Sequence, residues 1–294
     1  MKKFNFDFVK HFNLSVIISS ILVLGSLFLI LSKGLNFGVD FRGGAEVQVK
    51  FSAPVTDSEI RTTLSSKDLN VSSVQPIGDV GGNEFLIKVG ASAADINNVT
   101  NIITEKLNSS FKSQGVEIRK TDIVGPKAGK QLQISGIYAM LIALGAILLY
   151  IGLRFDFKYA PGAVVALFHD VLIICGVFSL LGVEFSLQIV GALLAVIGYS
   201  VNDTVVVYDR VREHEERAPR TKLTTHINKA LNETLTRTMW TSLTTLFVAL
   251  SMFFFGGGII HNFFFAIVLG VIIGTYSSLY VAAPTVLFLS KYIK

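Results

Sequence analysis

The stretch GYSVNDTVVVYDRVR (residues 198–212) closes an apolar run that begins near Phe185, and it puts Asp203 inside a predicted membrane span. A charged side chain at the centre of a membrane helix costs about 2.5–3.5 kcal/mol on insertion scales, and such residues usually face a bundle interior where they pair or carry ions. Tyr199 and Ser200 lie one helical turn before Asp203 on the same face, which makes a polar stripe. The stretch therefore predicts a functional carboxylate. The alternative is an Asp that a neighbouring helix satisfies for structural reasons alone.

The composition is that of a membrane protein. Apolar residues make up 51% of the 294-residue chain and charged residues 16%, and long uncharged runs recur along it. This predicts a polytopic α-helical membrane protein rather than a soluble domain with one large core. The formal net charge of +5 comes from Lys and Arg in the loops, which explains it without a nucleic-acid partner. The single cysteine, Cys175, lies within an apolar run, so the chain offers neither an internal disulfide nor a cysteine metal site.

Six apolar runs are each long enough to cross a bilayer. The predicted spans are residues 14–32, 131–153, 161–182, 185–208, 239–256 and 262–290. The first run is longer than an ordinary signal-peptide core and no A-x-A-like site follows it, so we predict a span rather than a cleaved leader. Residues 1–13 form a basic, aromatic N-terminal segment, and residues 209–238 form a basic loop that leads into a helix.

Basic residues crowd the short loops on one side of the predicted bundle. Both chain ends, the 154–158 hairpin and the 209–238 segment carry Lys or Arg, whereas the two short opposite loops carry neither. The positive-inside rule therefore places both termini in the cytoplasm and residues 33–130 outside it, since long translocated segments are exempt from the count.

The polar segment 33–130 reads as a small α+β domain. Alternating apolar residues predict strands at 45–51, 71–75, 85–89 and 116–124, with Gly78, Gly81 and Gly82 between the second and third. Capping boxes at 56–59 and 92–95 predict two helices, the second running to about Phe111. This order of elements, β-α-β-β-α-β, predicts a ferredoxin-like fold.

A carboxylate within the membrane needs a partner or a proton, and Arg237 is the best candidate partner for Asp203. It lies where the fifth span begins, among threonines spaced three to four residues apart that include Thr238. Ionised Asp203 would attract Arg237, and protonated Asp203 would release it, so titration could act as a mechanical switch. The alternative is an interfacial Arg that extends to lipid phosphates.

His169 and Asp170 form a second polar pair within the third span. They lie deep enough to join a proton relay, and they are equally compatible with a self-satisfied structural couple. The chain contains no P-loop, H-E-x-x-H or dinucleotide-binding glycine motif. Movement of ions is therefore the expected energy source, because a unit charge gains about 2.3 kcal/mol per 100 mV of membrane potential.

Taken together, these motifs resemble the SecF proteins of the SecD/SecF family, which are themselves similar to half of a resistance-nodulation-division (RND) transporter. The resemblance covers essentially the whole chain. It rests on GVDFRGG at 38–44, the 169–170 pair, YSVNDT at 199–204 with YDR at 208–210, and the 237–238 pair.

The resemblance implies an accessory subunit of Sec protein export in the bacterial inner membrane that uses the proton-motive force late in translocation. It implies SecD as the other half of a pseudo-symmetric unit, with the SecYEG channel, YajC and preproteins as further partners. The position matching Asp203 is then the proton-responsive acid and that matching Arg237 its basic counterpart. No cofactor, metal or enzymatic activity is expected. The supporting polar face comprises Tyr199, Ser200, Asn202, Thr204, Thr238, His169 and Asp170, and the membrane-exit motif comprises Asp40, Arg42, Gly43 and Gly44.

Other functions compete with this one. The chain could be a proton-driven exporter of small molecules or lipids, although about 90 residues leave little room for the outer domains of drug pumps. It could be an intramembrane aspartyl protease with Asp170 and Asp203 as a dyad, but the Gly-x-Gly-Asp signature is missing. It could also be a purely structural membrane subunit. Asp40 and Arg42 could simply fix the turn where the chain leaves the membrane.

Overall fold

The computed structural model describes residues 5–65, 69–77, 82–90, 96–155 and 157–290. The predicted capping box at 92–95 and two of the predicted turn glycines, Gly78 and Gly81, lie outside these ranges. The elements in chain order are α1 (Phe8–Lys33), β1 (Asn36–Phe37), α2 (Val39–Arg42), β2 (Gly44–Phe51), α3 (Asp57–Leu64), β3 (Asn70–Ile77), β4 (Glu84–Gly90), α4 (Ile96–Ser110), β5 (Val116–Val124), α5 (Pro126–Arg154), α6 (Ala160–Leu181), β6 (Glu184–Phe185), α7 (Leu187–Arg217), α8 (Leu223–Phe255), α9 (Gly258–Ser277), a π-helical turn (Ser278–Ala282) and α10 (Ala283–Leu289).

Within these ranges, six helical segments are long and apolar enough to cross a membrane: α1, α5, α6, α7, α8 and the run from α9 to α10. The predicted polytopic helical architecture is thereby confirmed. Half of the most apolar segment of α6 and of α7 is buried and 44% of that in the α9–α10 run, against 17% for α1 and α5 and 11% for α8. The centre of the bundle is therefore formed by α6, α7 and the α9–α10 run, while α1, α5 and α8 keep broad apolar faces on the outside.

Several helices extend beyond the predicted spans. α5 begins at Pro126, directly after β5 and before the predicted start at 131, because proline is well suited to the first turn of a helix. The segment 209–238 is helical except for residues 218–222. Ion pairs one turn apart support the end of α7 outside the apolar region, such as Arg212 Nε to Glu216 Oε1 at 3.0 Å.

The four strands β2 to β5 form one sheet in the order β3-β4-β2-β5, and all neighbours are antiparallel. Along β2 the residues at 45, 47, 49 and 51 are buried and those between them are partly exposed, the period of two that the sequence shows. α3 and α4 cover one face of the sheet through Ile60, Leu64, Ile103 and Leu107. The predicted box at 56–59 is present, with Thr56 and Glu59 each bonded to the other's backbone N–H.

A second, two-stranded sheet joins the exit of α1 to the α6–α7 connection. β1 and β6 run parallel, with Asn36 opposite Glu184 and Phe37 opposite Phe185. The sequence did not predict these strands, because two residues are too few to show a periodicity. They bring the start of the outer segment against the start of α7.

The π-helical turn lies just before Pro284. A proline ring crowds the carbonyl four residues earlier, here that of Tyr280, and proline has no N–H to donate to that carbonyl. The Tyr280 carbonyl accepts a hydrogen bond from the Ser15 hydroxyl at 3.2 Å, and that of Ala282 accepts one from the Tyr208 hydroxyl at 3.3 Å. Side chains of α1 and α7 thus satisfy carbonyls at this turn, as a water-free membrane interior requires.

Two consecutive glycines let the start of β2 approach neighbouring backbone closely. Gly43 has a φ of +87°, and a Cβ added to it would lie 2.8 Å from the Cα of Pro126. A Cβ on Gly44 would lie 2.3 Å from the carbonyl oxygen of Val89 in β4. Close packing of backbone therefore accounts for both glycines.

Gly44→Ala is accordingly expected to destabilise the sheet by about 1–3 kcal/mol, because the added methyl group fits only if β2 and β4 move apart. The temperature at which trypsin begins to cut the sheet-containing segment should fall. Gly125→Ala is the matched control, since no heavy atom lies within 4 Å of a Cβ at that position. Equal protease resistance of the two variants would contradict the expected clash.

Candidate functional site

Asp203 lies in α7 on the face that points into the bundle, and it is 3% exposed. Ser200, Thr204 and Val207 are buried on the same side of the helix. Among the described residues, the Asp203 carboxylate accepts no hydrogen bond, and no nitrogen of a Lys, Arg or His side chain lies within 4.0 Å of it. A carboxylate that is buried without a direct partner is poised to bind a proton, since burial disfavours its charged form.

Arg237 is the cation that acts on this carboxylate through space. Its side chain is exposed on α8, and no ion pair joins it to an acid within the described part of the chain. The structure therefore brings the two residues into electrostatic range without direct contact.

Arg237 also lines two clefts at the end of the bundle where α1 begins. One, of about 360 Å³, lies among α5, α7 and α8 and includes Arg154 and Asp209. The other, of about 1160 Å³, lies between the N-terminal segment and α8 and includes Asp7 and Trp240. Water from that side of the membrane can therefore reach Arg237.

Asp170, which is 1% exposed in α6, is contacted by three polar side chains. Its Oδ2 accepts from the hydroxyl of Ser200 in α7 at 2.7 Å and from that of Ser277 in α9 at 2.8 Å. Its Oδ1 lies 2.9 Å from Nδ1 of His169. An ionised Asp170 can only accept, and it therefore pairs with the His169 tautomer that carries the proton on Nδ1. Asp170 thus joins α6 to α7 and α9 through hydrogen bonds.

Neighbouring hydroxyls extend this network along α7. Thr204 Oγ1 lies 3.0 Å from Ser278 Oγ in the π-helical turn. The Tyr199 hydroxyl donates to Ser242 Oγ at 3.1 Å, which in turn lies 2.7 Å from Thr275 Oγ1. The polar stripe predicted from 198–212 therefore faces α8 and α9.

Two residues of the predicted polar face stand apart from the network. Asn202 is exposed, on the side of α7 away from Asp170. Thr238 is fully buried, and its hydroxyl has no hydrogen-bond partner in the described ranges.

Sequence reasoning missed the contributors from the last span, Thr275, Ser277 and Ser278. The available signal was the polar cluster TYSS at 275–278 within an otherwise apolar run. Hydroxyls in a membrane helix usually bond their own backbone, so such a cluster does not by itself predict contacts between helices.

Of the membrane-exit residues, Asp40 contacts the start of α7. Asp40 Oδ2 accepts from the backbone N–H of Leu187 at 3.0 Å, so its negative charge lies at the N-terminus of the helix that carries Asp203. Arg42 is exposed at the end of α2. The hydrogen bond between Asp40 and Leu187 adds a long-range link between the outer segment and α7.

Two family models match the chain. The model described as "Protein export membrane protein SecD/SecF, C-terminal" matches residues 103–292, and the "SecD/SecF GG Motif" matches residues 28–55 and contains the two close-packed glycines. Curated relatives named "Protein translocase subunit SecF" include one from Magnetococcus marinus, 44% identical over 98% of this chain and 93% of its own. One from Haemophilus influenzae is 40% identical over 94% of this chain and 83% of its own.

Solved structures of SecDF share the fold. The crystal structure of SecDF from Thermus thermophilus, a translocon-associated membrane protein, matches with a TM-score of 0.81 and 31% identity over 98% of this chain. A structure of SecDF in a super-membrane-facing form matches with a TM-score of 0.71 and 31% identity over 99% of this chain. This chain spans 39% of the length of each SecDF chain.

Proposed function

The chain belongs to the SecD/SecF family of protein-export membrane proteins, as a SecF member, and from this premise we propose that it couples the proton-motive force to preprotein export. It is a multi-pass membrane protein and an accessory, non-catalytic subunit of Sec translocation. Its place is the bacterial inner membrane, and its action falls late in translocation, when the preprotein emerges on the outer side.

Its immediate partner is SecD, and the two together form a pseudo-symmetric unit beside SecYEG, with YajC. The chain length supports this assembly, since the SecDF chains leave room for a second half. The broad apolar faces of α1, α5 and α8 supply surface for that half and for lipid. Transporters built from repeats place their sites at the interface between the halves.

Both termini lie in the cytoplasm, and the sheet segment between α1 and α5 is an outer, ferredoxin-like domain. The basic loops support the orientation. The strand order β3-β4-β2-β5 with two helices on one face supports the domain type, because a split βαβ unit yields this arrangement. A domain of this kind on the outer side is positioned to meet an emerging preprotein.

The single observation that carries the proposal is Asp203, buried in an apolar helix with Arg237 acting on it through space. When Asp203 is ionised, α7 and α8 attract each other. When it binds a proton, the attraction is lost and the two helices are free to separate. The hydrogen bonds between Ser200 and Asp170 and between Thr204 and Ser278 hold α7 against α6 and the last span during this change.

The attraction between two opposite charges and the energy that a proton gains in crossing the membrane are similar in size. At an effective dielectric constant of about 20, two unit charges about 4 Å apart attract by about 4 kcal/mol, and the attraction falls as they separate or are screened by water. A proton crossing 100 mV gains about 2.3 kcal/mol. The attraction that one protonation removes and the energy that one proton supplies are therefore of the same order, a few kcal/mol at most.

Inverted membrane vesicles test the proposal. Preprotein translocation into vesicles that contain the chain is compared with that into vesicles lacking it, each with and without a protonophore, and with a sodium ionophore in parallel. We expect the chain to raise translocation only while the proton gradient persists. An advantage that survives the protonophore, or one abolished by the sodium ionophore instead, contradicts proton coupling.

A further inference from the structure

Lys88 connects the sheet to the helical bundle through a buried ion pair. It lies in β4, and its side chain is 8% exposed. Its Nζ lies 3.1 Å from Oε1 of Glu46 in the adjacent strand β2 and 3.3 Å from Oε1 of Glu184 in the α6–α7 connection. One lysine thus bonds one acid within its own sheet and one acid outside it.

The lysine is held in its charged form. Burial on its own lowers the pKa of Lys88, but the carboxylates of Glu184, Glu46 and Asp40 more than offset this, so its pKa is raised above the ordinary value. A buried charge of this kind loses its compensation when one partner is removed. The ion pair with Glu184 therefore favours one position of the sheet relative to the bundle. It is more than an incidental surface contact.

Glu184 is attached directly to the helix that carries the proposed coupling acid. It belongs to β6, three residues before Leu187, the first residue of α7. From Leu187 to Asp203 is roughly 24 Å along that helix at about 1.5 Å per residue. A tilt or shift of α7 therefore moves Glu184, and with it any group bonded to Glu184.

A further contact between sheet and bundle has a different character. A Cβ placed on Gly258, at the start of α9, would lie 3.0 Å from the carbonyl oxygen of Pro76 in β3. That contact is steric and touches α9 rather than α7. The Lys88–Glu184 ion pair joins the sheet itself to the start of α7, where Asp40 of α2 also accepts from the backbone N–H of Leu187.

We propose that Lys88 is a positioning residue that makes the sheet domain follow the outer end of α7, so that a change at Asp203 reaches the outer side of the membrane. This inference rests on the proposed function, because it takes Asp203 as the group whose charge changes. It adds the route by which that change leaves the membrane.

Spin-label distances in the complex with the partner subunit test the route. Labels are attached at Lys120→Cys, where the native side chain is 64% exposed in β5, and at Leu181→Cys, 58% exposed at the end of α6, in a Cys175→Ala background. Glu184→Gln removes the link to the bundle. Glu46→Gln, the matched control, makes the same change to the partner within the sheet.

We expect Asp203→Asn, which mimics the protonated acid, to shift the label distance in the native background and in Glu46→Gln, and to lose that shift in Glu184→Gln. A shift that persists in Glu184→Gln overturns the proposal, and so does loss of the shift in Glu46→Gln. Absence of any shift also overturns it, since α7 then transmits nothing to the sheet. Translocation by the Asp203→Asn complex is measured separately. It shows whether the proposed function fails together with the Lys88 route or whether only the route fails.

Discussion

Asp203→Asn is expected to reduce the proton-gradient-dependent part of preprotein translocation to the level of vesicles that lack the chain. The amide has nearly the same size as the carboxyl group, so the packing around this buried side chain is retained. It carries no charge and binds no proton, so the attraction toward Arg237 stays absent at every stage of the cycle. Translocation is measured in inverted vesicles with equal membrane levels of the complex, with and without protonophore.

Glu216→Gln is the matched control for this experiment. It makes the same chemical change on the same helix, at a side chain that is 65% exposed and pairs with Arg212 one turn away. Exposed pairs of this kind contribute only about 0.3–0.5 kcal/mol, so the variant should respond to the proton gradient like the native chain. If Asp203→Asn retains the native response, Asp203 has a structural role only and the switch is refuted.

Local patterns predicted much of what the structure contains. The alternation of residues 45–51 corresponds to β2, and the box at 56–59 caps α3. In the membrane, length and hydropathy alone define six apolar segments. These features are visible in the sequence because each depends on residues within one turn or one strand.

Features that depend on distant residues could not be predicted in this way. The β1–β6 pairing joins residues about 150 positions apart through two-residue strands. The partners of Asp170 come from α7 and α9, and their hydroxyls have no distinguishing pattern in an apolar run. Likewise, the sequence indicates Arg237 as the candidate partner of Asp203, but only the packing of α7 against α8 determines their separation.

The second large effect is expected at Asp170. Asp170→Ala should lower the free energy of unfolding by about 2–5 kcal/mol, because it leaves the donors of His169 and Ser200 buried without an acceptor and leaves the Ser277 hydroxyl only its longer bond to the carbonyl of Gly274. Hydrogen bonds between membrane helices average about 0.6 kcal/mol and reach about 1.7 kcal/mol, and this acceptor is charged and shared by three donors. Thermal unfolding of the purified complex in detergent measures the effect.

Asp209→Ala provides the control, since its side chain is 59% exposed and its distance to Arg154 is a long 3.9 Å. Such a surface change is expected to stay within about 0.5 kcal/mol of the native chain. Similar unfolding temperatures for Asp170→Ala and Asp209→Ala would show that the network around Asp170 does not stabilise the bundle.

Asp170→Asn separates the charge of this residue from its hydrogen bonds. The amide keeps one carbonyl oxygen for Ser200 and Ser277, but its NH₂ group would face Nδ1 of His169, the nitrogen that now donates. His169 can then accept only by moving its proton to Nε2, which has no partner among the described residues. We therefore expect Asp170→Asn to be less destabilising than Asp170→Ala, with a changed protonation of the His169 ring visible by ¹⁵N NMR. If the two variants are equally destabilised, the negative charge of Asp170, rather than its geometry as an acceptor, holds α6, α7 and α9 together.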